Sequence, residues 1–84
     1  MLWYVYIAKT RTGFYYTGIT TNPELRISKH NQGKSSQMGR QQGLFTLVYV
    51  SPSFPNKSLA RKREIQIKGW NREKKEKLIN GGWQ

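Results

Sequence analysis

Five side chains of this sequence have the chemistry to move protons, to hold a phosphate or to bind a metal ion: Tyr6, Tyr16, Arg26, His30 and Glu64. The planar guanidinium of Arg26 matches the oxygens of a phosphate group. Glu64 can hold Mg²⁺ through oxygen while water completes the coordination shell. Hydrolysis of a phosphodiester needs an activated water, neutralised charge on the phosphate and help for the departing oxygen, and these residue types can supply all three.

The sequence does not determine which residue is the general base. Tyr6, Tyr16 and His30 can each carry a proton or position a water. A tyrosine normally has a pKa near ~10, so a tyrosine base needs positive charge close by, from Arg26, Lys9 or a bound cation. His30 is the easier base by its ordinary pKa.

Each of these residues also has a simpler interpretation. Strand tyrosines most often pack, a helical arginine is usually solvated, and a single histidine is more often a surface residue than a catalytic one. Glu64 can pair with Lys68, four residues further along a helix. The prediction of a catalytic site therefore depends on the order and spacing of all five residues together.

The small number of acids limits the metal chemistry. The sequence has no aspartate, and its four acids are Glu24, Glu64, Glu73 and Glu76. Two-metal nucleases need several converging carboxylates, and a single histidine does not support a paired-histidine mechanism within one subunit. We therefore expect one divalent ion, Mg²⁺ or Mn²⁺, bound at Glu64.

The net charge of +11 predicts a polyanionic partner. Fifteen Lys and Arg residues against four acids attract nucleic acid through counterion release. A solubility surface or an anionic membrane would be the alternatives, but the accompanying aromatic residues favour nucleic acid, with DNA preferred to RNA and no membrane. The expected nucleic-acid contacts are Lys9, Lys34, Arg40, Arg61, Lys62 and Lys68.

Length and composition predict one domain over residues 1–84 and a cytoplasmic location. The sequence has no cysteine, which excludes disulfides and thiolate metal sites and suits a reducing compartment. It begins without the basic region of a signal peptide, and no apolar run approaches the roughly 20 residues that cross a bilayer.

The two tyrosines are expected to meet on one face of a β-hairpin. Residues 2–8 and 14–19 are rich in aromatic and β-branched types, which favours strands. A tight turn with Gly13 in the left-handed region would place Ala8 opposite Tyr16 and Tyr6 opposite Gly18. Even-numbered residues would then share a face, and Trp3 would lie with the odd-numbered residues on the other.

Helices are expected to carry Arg26, His30 and Glu64. Asn22-Pro23-Glu24 is typical of a helix start, with the helix running to about residue 32 and a mobile loop over 34–43. A largely buried strand is predicted over 44–50. The remaining predicted elements are a turn over 51–57, a helix over 58–68 with Glu64 bordering its apolar stripe, and a short helix from a capping Asn71 to Ile79, giving the order ββαβαα.

The sequence also resembles the GIY-YIG nuclease family, particularly its small single-domain bacterial members. The motifs Tyr4-Val5-Tyr6 and Tyr16-Thr17-Gly18 are followed by a helical Arg26 and His30 and then by Glu64. The resemblance covers nearly the whole chain. It implies an α+β fold in which a three-stranded antiparallel sheet is flanked by helices, and cleavage that leaves 5′-phosphate and 3′-hydroxyl ends.

The resemblance also implies a role for each site residue. Tyr6 and Tyr16 correspond to the motif tyrosines, and Arg26 to the arginine that stabilises the phosphate. His30 corresponds to a residue that assists proton transfer in some members, and Glu64 to the ligand of the single ion. Asn80 falls near a late asparagine found in some members.

Departures from the family pattern bear on specificity. Tyr4 replaces the glycine of the first motif and Thr17 the isoleucine of the second, without loss of a functional group. Well-studied members use extra domains to choose their DNA, so we expect structure-selective or partner-dependent cleavage, with a role in DNA repair among the possibilities.

Two alternatives remain open at this point. One is a non-catalytic nucleic-acid-binding module, in which residues 34–40 and 61–63 hold phosphates and Trp70 or Trp83 stacks on bases. The other is a basic subunit that docks on a larger acidic repair or ribosomal partner.

Overall fold

A computed structural model describes residues 1–33 and 45–81 of the chain. The described part has the order ββαβαα, with strands β1 (Tyr4–Thr10), β2 (Tyr15–Thr20) and β3 (Phe45–Val50). Its helices are α1 (Pro23–Gly33), α2 (Lys57–Lys68) and α3 (Arg72–Ile79). The strands form one antiparallel sheet in the order β2-β1-β3, which confirms the predicted α+β class and element order. The loop expected over 34–43, with Lys34 and Arg40, lies outside the described residues, as does Trp83.

The hairpin has the predicted register. Tyr6 pairs with Gly18 and Ala8 with Tyr16. The turn closes through two backbone hydrogen bonds, from the Thr10 amide to the Phe14 carbonyl at 2.9 Å and from the Gly13 amide to the Thr10 carbonyl at 3.0 Å. Gly13 has a φ of 97°, in the left-handed region that a glycine adopts without steric cost.

Both predicted strands of the hairpin begin later than expected. The first also extends beyond the predicted Ala8 to Thr10, which pairs with Phe45 of β3 and whose hydroxyl accepts a hydrogen bond from the Phe14 amide at 3.0 Å. Trp3 does not pair with β2 and instead forms an isolated bridge with Phe54. The start of the chain is thereby fixed to the segment that precedes α2.

The prediction that the third strand is largely buried is wrong. β3 is an edge strand, because β1 occupies the centre of the sheet, and the residues of β3 are half-buried or exposed. Val50 keeps 41% of its surface exposed. A register shift opposite Ile7 and Ala8 adds one residue to β3 and bends this edge.

The helices cover opposite faces of the sheet. The even-numbered face of β1 packs against α1 through Tyr6, Ala8 and Ile27. The odd-numbered face packs against α2 and α3, and the buried residues of that cluster are Val5, Ile7, Ala60, Ile67 and Leu78. The predicted division of the strand residues between two faces is therefore confirmed.

Asparagine side chains cap all the described helices. Asn22 accepts a hydrogen bond from the Leu25 amide at 3.1 Å, and Asn71 accepts one from the Lys74 amide at 2.9 Å. The helix predicted to begin at Ser58 begins at Lys57, because Asn56 is the capping residue and accepts from the Leu59 amide at 2.9 Å. None of the helices in residues 1–33 and 45–81 is long and apolar enough to cross a membrane.

Candidate active site

A cleft of about 440 Å³ lies along β2, at an edge of the sheet. β1 supplies Tyr6, β2 supplies Tyr16, α1 supplies Arg26 and α2 supplies Glu64. The structure thus brings four of the five proposed reactive residues to one cleft from four separate elements. Its other lining residues are Trp3, Gly18, Ile19, Thr20, Thr21, Lys57, Arg61 and Lys68.

The phenol of Tyr6 crosses Gly18 to reach this edge. A β-carbon at position 18 would come within 2.6 Å of the Tyr6 hydroxyl oxygen and 2.8 Å of the ring carbon that bears it. The glycine is therefore required by close approach. The rings of Tyr6 and Tyr16 lie 6.2 Å apart between centroids, as the even-numbered face predicted, but Tyr6 is fully buried while Tyr16 is 42% exposed.

Burial raises the pKa of Tyr6 above 10.0, and this effect outweighs the neighbouring Arg26 guanidinium, which lowers it. The nearby Tyr16 and Glu64 raise the pKa further. The Tyr6 hydroxyl has no hydrogen bond of good geometry within the described part of the chain, although Arg26 lies close enough to act on its pKa. At neutral pH Tyr6 is therefore neutral, and its hydroxyl, which belongs to the wall of the cleft but has almost no exposed surface, is suited to donating a hydrogen bond.

Glu64 is a nearly buried carboxylate with 5% of its surface exposed. It lies on α2 beside the buried Ala60 and Ile67, where the helical wheel placed it at the border of the apolar stripe. Its two oxygens face the Arg61 Nε at 3.7 Å and the Lys68 Nζ at 3.4 Å. These cations offset the cost of burying a single charge.

The donor set of the cleft fits one hard divalent ion. The described residues contain no cluster of three or more His, Cys, Asp or Glu side chains that could hold a metal. Mg²⁺ is commonly held by one or two carboxylates together with water and substrate phosphates, and so needs little more from the protein than Glu64. An ion there would share the carboxylate with Arg61 and Lys68.

His30 lies beside the cleft and not among its lining residues. Its ring is 5.8 Å from that of Tyr16 and 5.5 Å from that of Phe45, measured between centroids. Asn31 fixes this aromatic group, because its side chain donates to the Phe45 carbonyl at 3.1 Å and accepts from the Phe45 amide at 2.9 Å. The end of α1 is thereby joined to the start of β3 beneath Tyr16.

Other proposed residues lie elsewhere. Lys9 is on the opposite face, with its Nζ 5.8 Å from the centre of the Tyr15 ring, so the positive charge near Tyr6 comes from Arg26. Asn80 lines the same separate pocket as Lys9 and Tyr15. Lys62 is exposed on α2 outside the cleft lining, whereas Arg61 and Lys68 belong to it.

The structural roles of four residues at the site were not predicted from the sequence: Trp3, Gly18, Asn31 and Lys57. The register already placed Gly18 opposite Tyr6, so the need for a bare glycine could have been seen. Trp3 was predicted to lie on the face opposite Tyr6, and residues from opposite faces were not expected to share a cleft. A cleft at the edge of a sheet is lined by side chains from both faces. An asparagine within a helix is unfavourable unless its side chain has a partner, and this was the available signal for Asn31.

A three-stranded antiparallel sheet flanked by helices, with tyrosine, arginine and glutamate converging at one edge, is the architecture of a small nuclease-type domain. The model of the GIY-YIG catalytic domain matches residues 2–77 of this chain. The chain belongs to the GIY-YIG family.

Similar proteins carry the name UPF0213, which states no activity. A UPF0213 protein of Halalkalibacterium halodurans is 42% identical over 77 residues, covering 92% of this chain and 81% of its own length. One from Staphylococcus haemolyticus is 43% identical over 76 residues, covering 90% and 92% respectively. The solution NMR structure of the UPF0213 protein from Bacillus halodurans has a TM-score of 0.59 and 41% identity, covering 95% of this chain and 84% of that one.

Proposed function

We propose that this chain is a divalent-metal-dependent endonuclease that hydrolyses DNA phosphodiesters with one ion held at Glu64. The observation that supports this most strongly is the convergence of Tyr6, Tyr16, Arg26 and Glu64 on one cleft from four elements. Individually each residue has a structural explanation. Their meeting in a polar cleft on a chain of net charge +11 is better explained by a phosphodiester substrate.

In this proposal the charged Arg26 and the neutral Tyr6 have different roles. Arg26 stays cationic, since its neighbour Tyr6 raises its already high pKa, and its fork can bind two oxygens of the scissile phosphate. As negative charge develops on those oxygens, the guanidinium stabilises it without moving. Tyr6, held neutral by burial, orients the attacking water or a phosphate oxygen by donating its hydroxyl proton to a hydrogen bond.

Tyr16 and His30 remain the candidates for proton transfer. Tyr16 is the more exposed of the two cleft tyrosines and lies between Tyr6 and His30. Histidine is the side chain whose usual pKa suits a base near neutral pH, and His30 would reach the cleft through the Tyr16 hydroxyl or through water.

Glu64 would hold the ion, Mg²⁺ or Mn²⁺. When bound, such an ion neutralises charge on the phosphate and helps the departing oxygen to leave. Arg61 and Lys68 then serve two purposes in this proposal: they pair with the buried carboxylate in the free protein, and they attract the nucleic-acid backbone.

The same proposal covers substrate and setting. We infer a single domain over residues 1–84 that acts on DNA in preference to RNA, in the cytoplasm, leaving 5′-phosphate and 3′-hydroxyl ends. The cleft offers cations and hydroxyls with little to distinguish one base from another, so selectivity would come from DNA structure or from a protein partner. Repair of DNA is the setting that we favour.

A cleavage assay tests this proposal. Wild type is incubated with single-stranded, duplex and branched DNA in Mg²⁺, Mn²⁺ or EDTA, beside Glu64→Gln, Tyr6→Phe and the control Glu73→Gln. Glu73 is an exposed α3 residue that pairs with Lys77 at 3.9 Å, so its loss should not affect cleavage. We expect metal-dependent cleavage by wild type and Glu73→Gln and loss of cleavage in Glu64→Gln. If wild type and all the variants are equally inactive on every substrate, the proposed endonuclease activity is rejected.

A non-catalytic nucleic-acid-binding module is the second candidate. The observation that favours it is that both oxygens of Glu64 already face cations, as in a structural ion pair. This candidate predicts salt-sensitive DNA binding by wild type and Glu64→Gln alike, with no cleavage by either protein in any metal.

A further inference from the structure

Within residues 1–33 and 45–81, Trp3 is the one indole that lines the cleft. Its odd-numbered position directs it away from Tyr6 on β1, yet both side chains reach the same edge of the sheet. The remainder of the lining is dominated by cations, hydroxyls and Glu64. An indole in such surroundings is a flat apolar surface beside a phosphate-binding group of residues.

The backbone holds Trp3 in a fixed place. Its amide donates to the Phe54 carbonyl at 2.9 Å, and the Phe54 amide donates to the Trp3 carbonyl at 2.7 Å. Part of the side chain packs against the core cluster of Val5 and Ala60, and the residue as a whole is half-buried. Trp3 therefore presents a pre-positioned ring, which costs little conformational entropy when a ligand binds.

Lys57 lies over this ring, with its Nζ 5.4 Å from the centroid. Lys57, Arg61, Glu64 and Lys68 recur at helical spacing along the cleft side of α2. Lys57 is seven residues from Glu64, or about 10 Å along the helix axis. If the scissile phosphate of a nucleic-acid strand lies beside Glu64, a neighbouring nucleotide of the same strand can therefore lie at Trp3.

We propose that Trp3 and Lys57 form a subsite for one unpaired base, in which the base stacks on the indole in place of the Lys57 ammonium group and that ammonium group moves to the adjoining phosphate. In the interior of a duplex each base is covered on both faces by its neighbours, whereas a single-stranded, frayed or extruded base offers a face to Trp3. The inference rests on the proposed function in taking nucleic acid as the ligand. It specifies a substrate with an unpaired nucleotide beside the scissile phosphate.

Binding measured in EDTA tests the subsite separately from cleavage. The probes are a thymidine oligonucleotide of about 8 nucleotides, an abasic backbone of equal length and a blunt duplex. Because the abasic backbone lacks every base, the comparison does not depend on which nucleotide of the strand lies at Trp3. The proteins are wild type, Trp3→Leu, Trp3→Phe and the control Trp70→Leu, with affinity measured by fluorescence anisotropy and folding checked by circular dichroism.

Trp70 provides a matched control for loss of an indole. It is also half-buried, with the Arg63 guanidinium carbon 5.1 Å and the Lys74 Nζ 4.4 Å from its ring centroid, but it does not line the cleft. A general effect of removing an indole next to cations would therefore appear equally in Trp70→Leu.

For wild type we expect the abasic backbone to bind about 5- to 150-fold more weakly than the thymidine strand. Trp3→Leu should lose most of this difference, while Trp3→Phe and Trp70→Leu should keep it, and duplex affinity should be the same for all the folded variants. If the abasic backbone binds more weakly than the thymidine strand by the same factor in wild type and in Trp3→Leu, the proposed subsite is rejected. An equal loss of duplex and single-strand binding in Trp3→Leu would also reject it.

The outcomes separate this inference from the enzyme proposal. Base-dependent binding through Trp3 without any metal-dependent cleavage would support the subsite and reject the nuclease. Metal-dependent cleavage with affinity indifferent to Trp3 would retain the nuclease and reject the subsite.

Discussion

The phenol of Tyr6 lies against the backbone of Gly18, so closely that a β-carbon at position 18 would approach the Tyr6 hydroxyl to 2.6 Å. The two residues are also direct partners in the β1–β2 ladder. Because Gly18 of β2 has no side chain, the Tyr6 ring of β1 can extend across it to the cleft at the edge of the sheet. The position of a proposed catalytic hydroxyl depends on the absence of a side chain.

Gly18→Ala should therefore displace Tyr6. We expect a loss of stability of about 1–3 kcal/mol, typical of overpacking, and a fall in DNA cleavage at least as large as that of Tyr6→Phe. Urea unfolding and a cleavage assay check the two effects. Gly69→Ala is the control, because a β-carbon there would come no closer than 3.5 Å to any atom beyond its immediate neighbours. Unchanged cleavage by Gly18→Ala would contradict the proposed placement of Tyr6.

The two cations Lys68 and Lys62 lie on α2, but only Lys68 lines the cleft. Lys68→Gln should reduce the slope of log affinity against log salt by about 0.7 for single-stranded DNA, the value for one phosphate contact. Lys62→Gln should leave the slope unchanged. Binding titrations at several salt concentrations measure both slopes, and an equal reduction in the two variants would place the nucleic-acid path outside the cleft.

One buried and two half-buried tyrosines should make the fold sensitive to alkali. Burial is the largest cause that raises the pKa of Tyr6, Tyr15 and Tyr49 above 10.0. The unfolded chain then releases these protons at lower pH than the folded chain, so stability present below pH 10 is lost as the pH rises beyond it. The double variant Tyr6→Phe, Tyr49→Phe should show a shallower loss than wild type in unfolding experiments between about pH 9 and pH 11. Identical pH profiles would contradict this assignment.

Asn31 should stabilise the aromatic group beside the cleft. Asn31→Ala leaves the amide and carbonyl of Phe45 without their side-chain partner, which should cost about 1–3 kcal/mol if water does not replace it. Ser28→Ala, at an exposed position of the same helix, is the control. Equal free energies of unfolding for the two variants would show that the contact contributes little.

The fold was largely predictable because local chemistry determines its elements. The left-handed glycine at position 13 sets the hairpin register, and Asn22 and Asn71 begin helices where their side chains can cap them. Strand burial was not predictable from β3 alone. Its apolar residues suit a central strand, and its place at an edge depends on β1 lying between it and β2.

The meeting of four proposed site residues was predictable from the sequence, and the surroundings of the cleft were not. Order and spacing identified Tyr6, Tyr16, Arg26 and Glu64, which do meet in the cleft. Periodicity assigns residues to faces, whereas this cleft lies at an edge and collects side chains from both. Trp3 and Lys57 could therefore be placed in it only with the sheet and α2 in position.

The central claim is that Glu64 holds the metal ion of a catalytic cleft, and a crystal structure soaked with Mn²⁺ tests it most directly. Anomalous scattering locates the ion without reference to activity, and Glu64→Gln crystals provide the control. We predict one Mn²⁺ at the Glu64 carboxylate, in the cleft shared with Tyr6 and Arg26, and its loss in the variant. Mn²⁺ bound only at other positions, or at Glu64→Gln as strongly as at wild type, would contradict the claim.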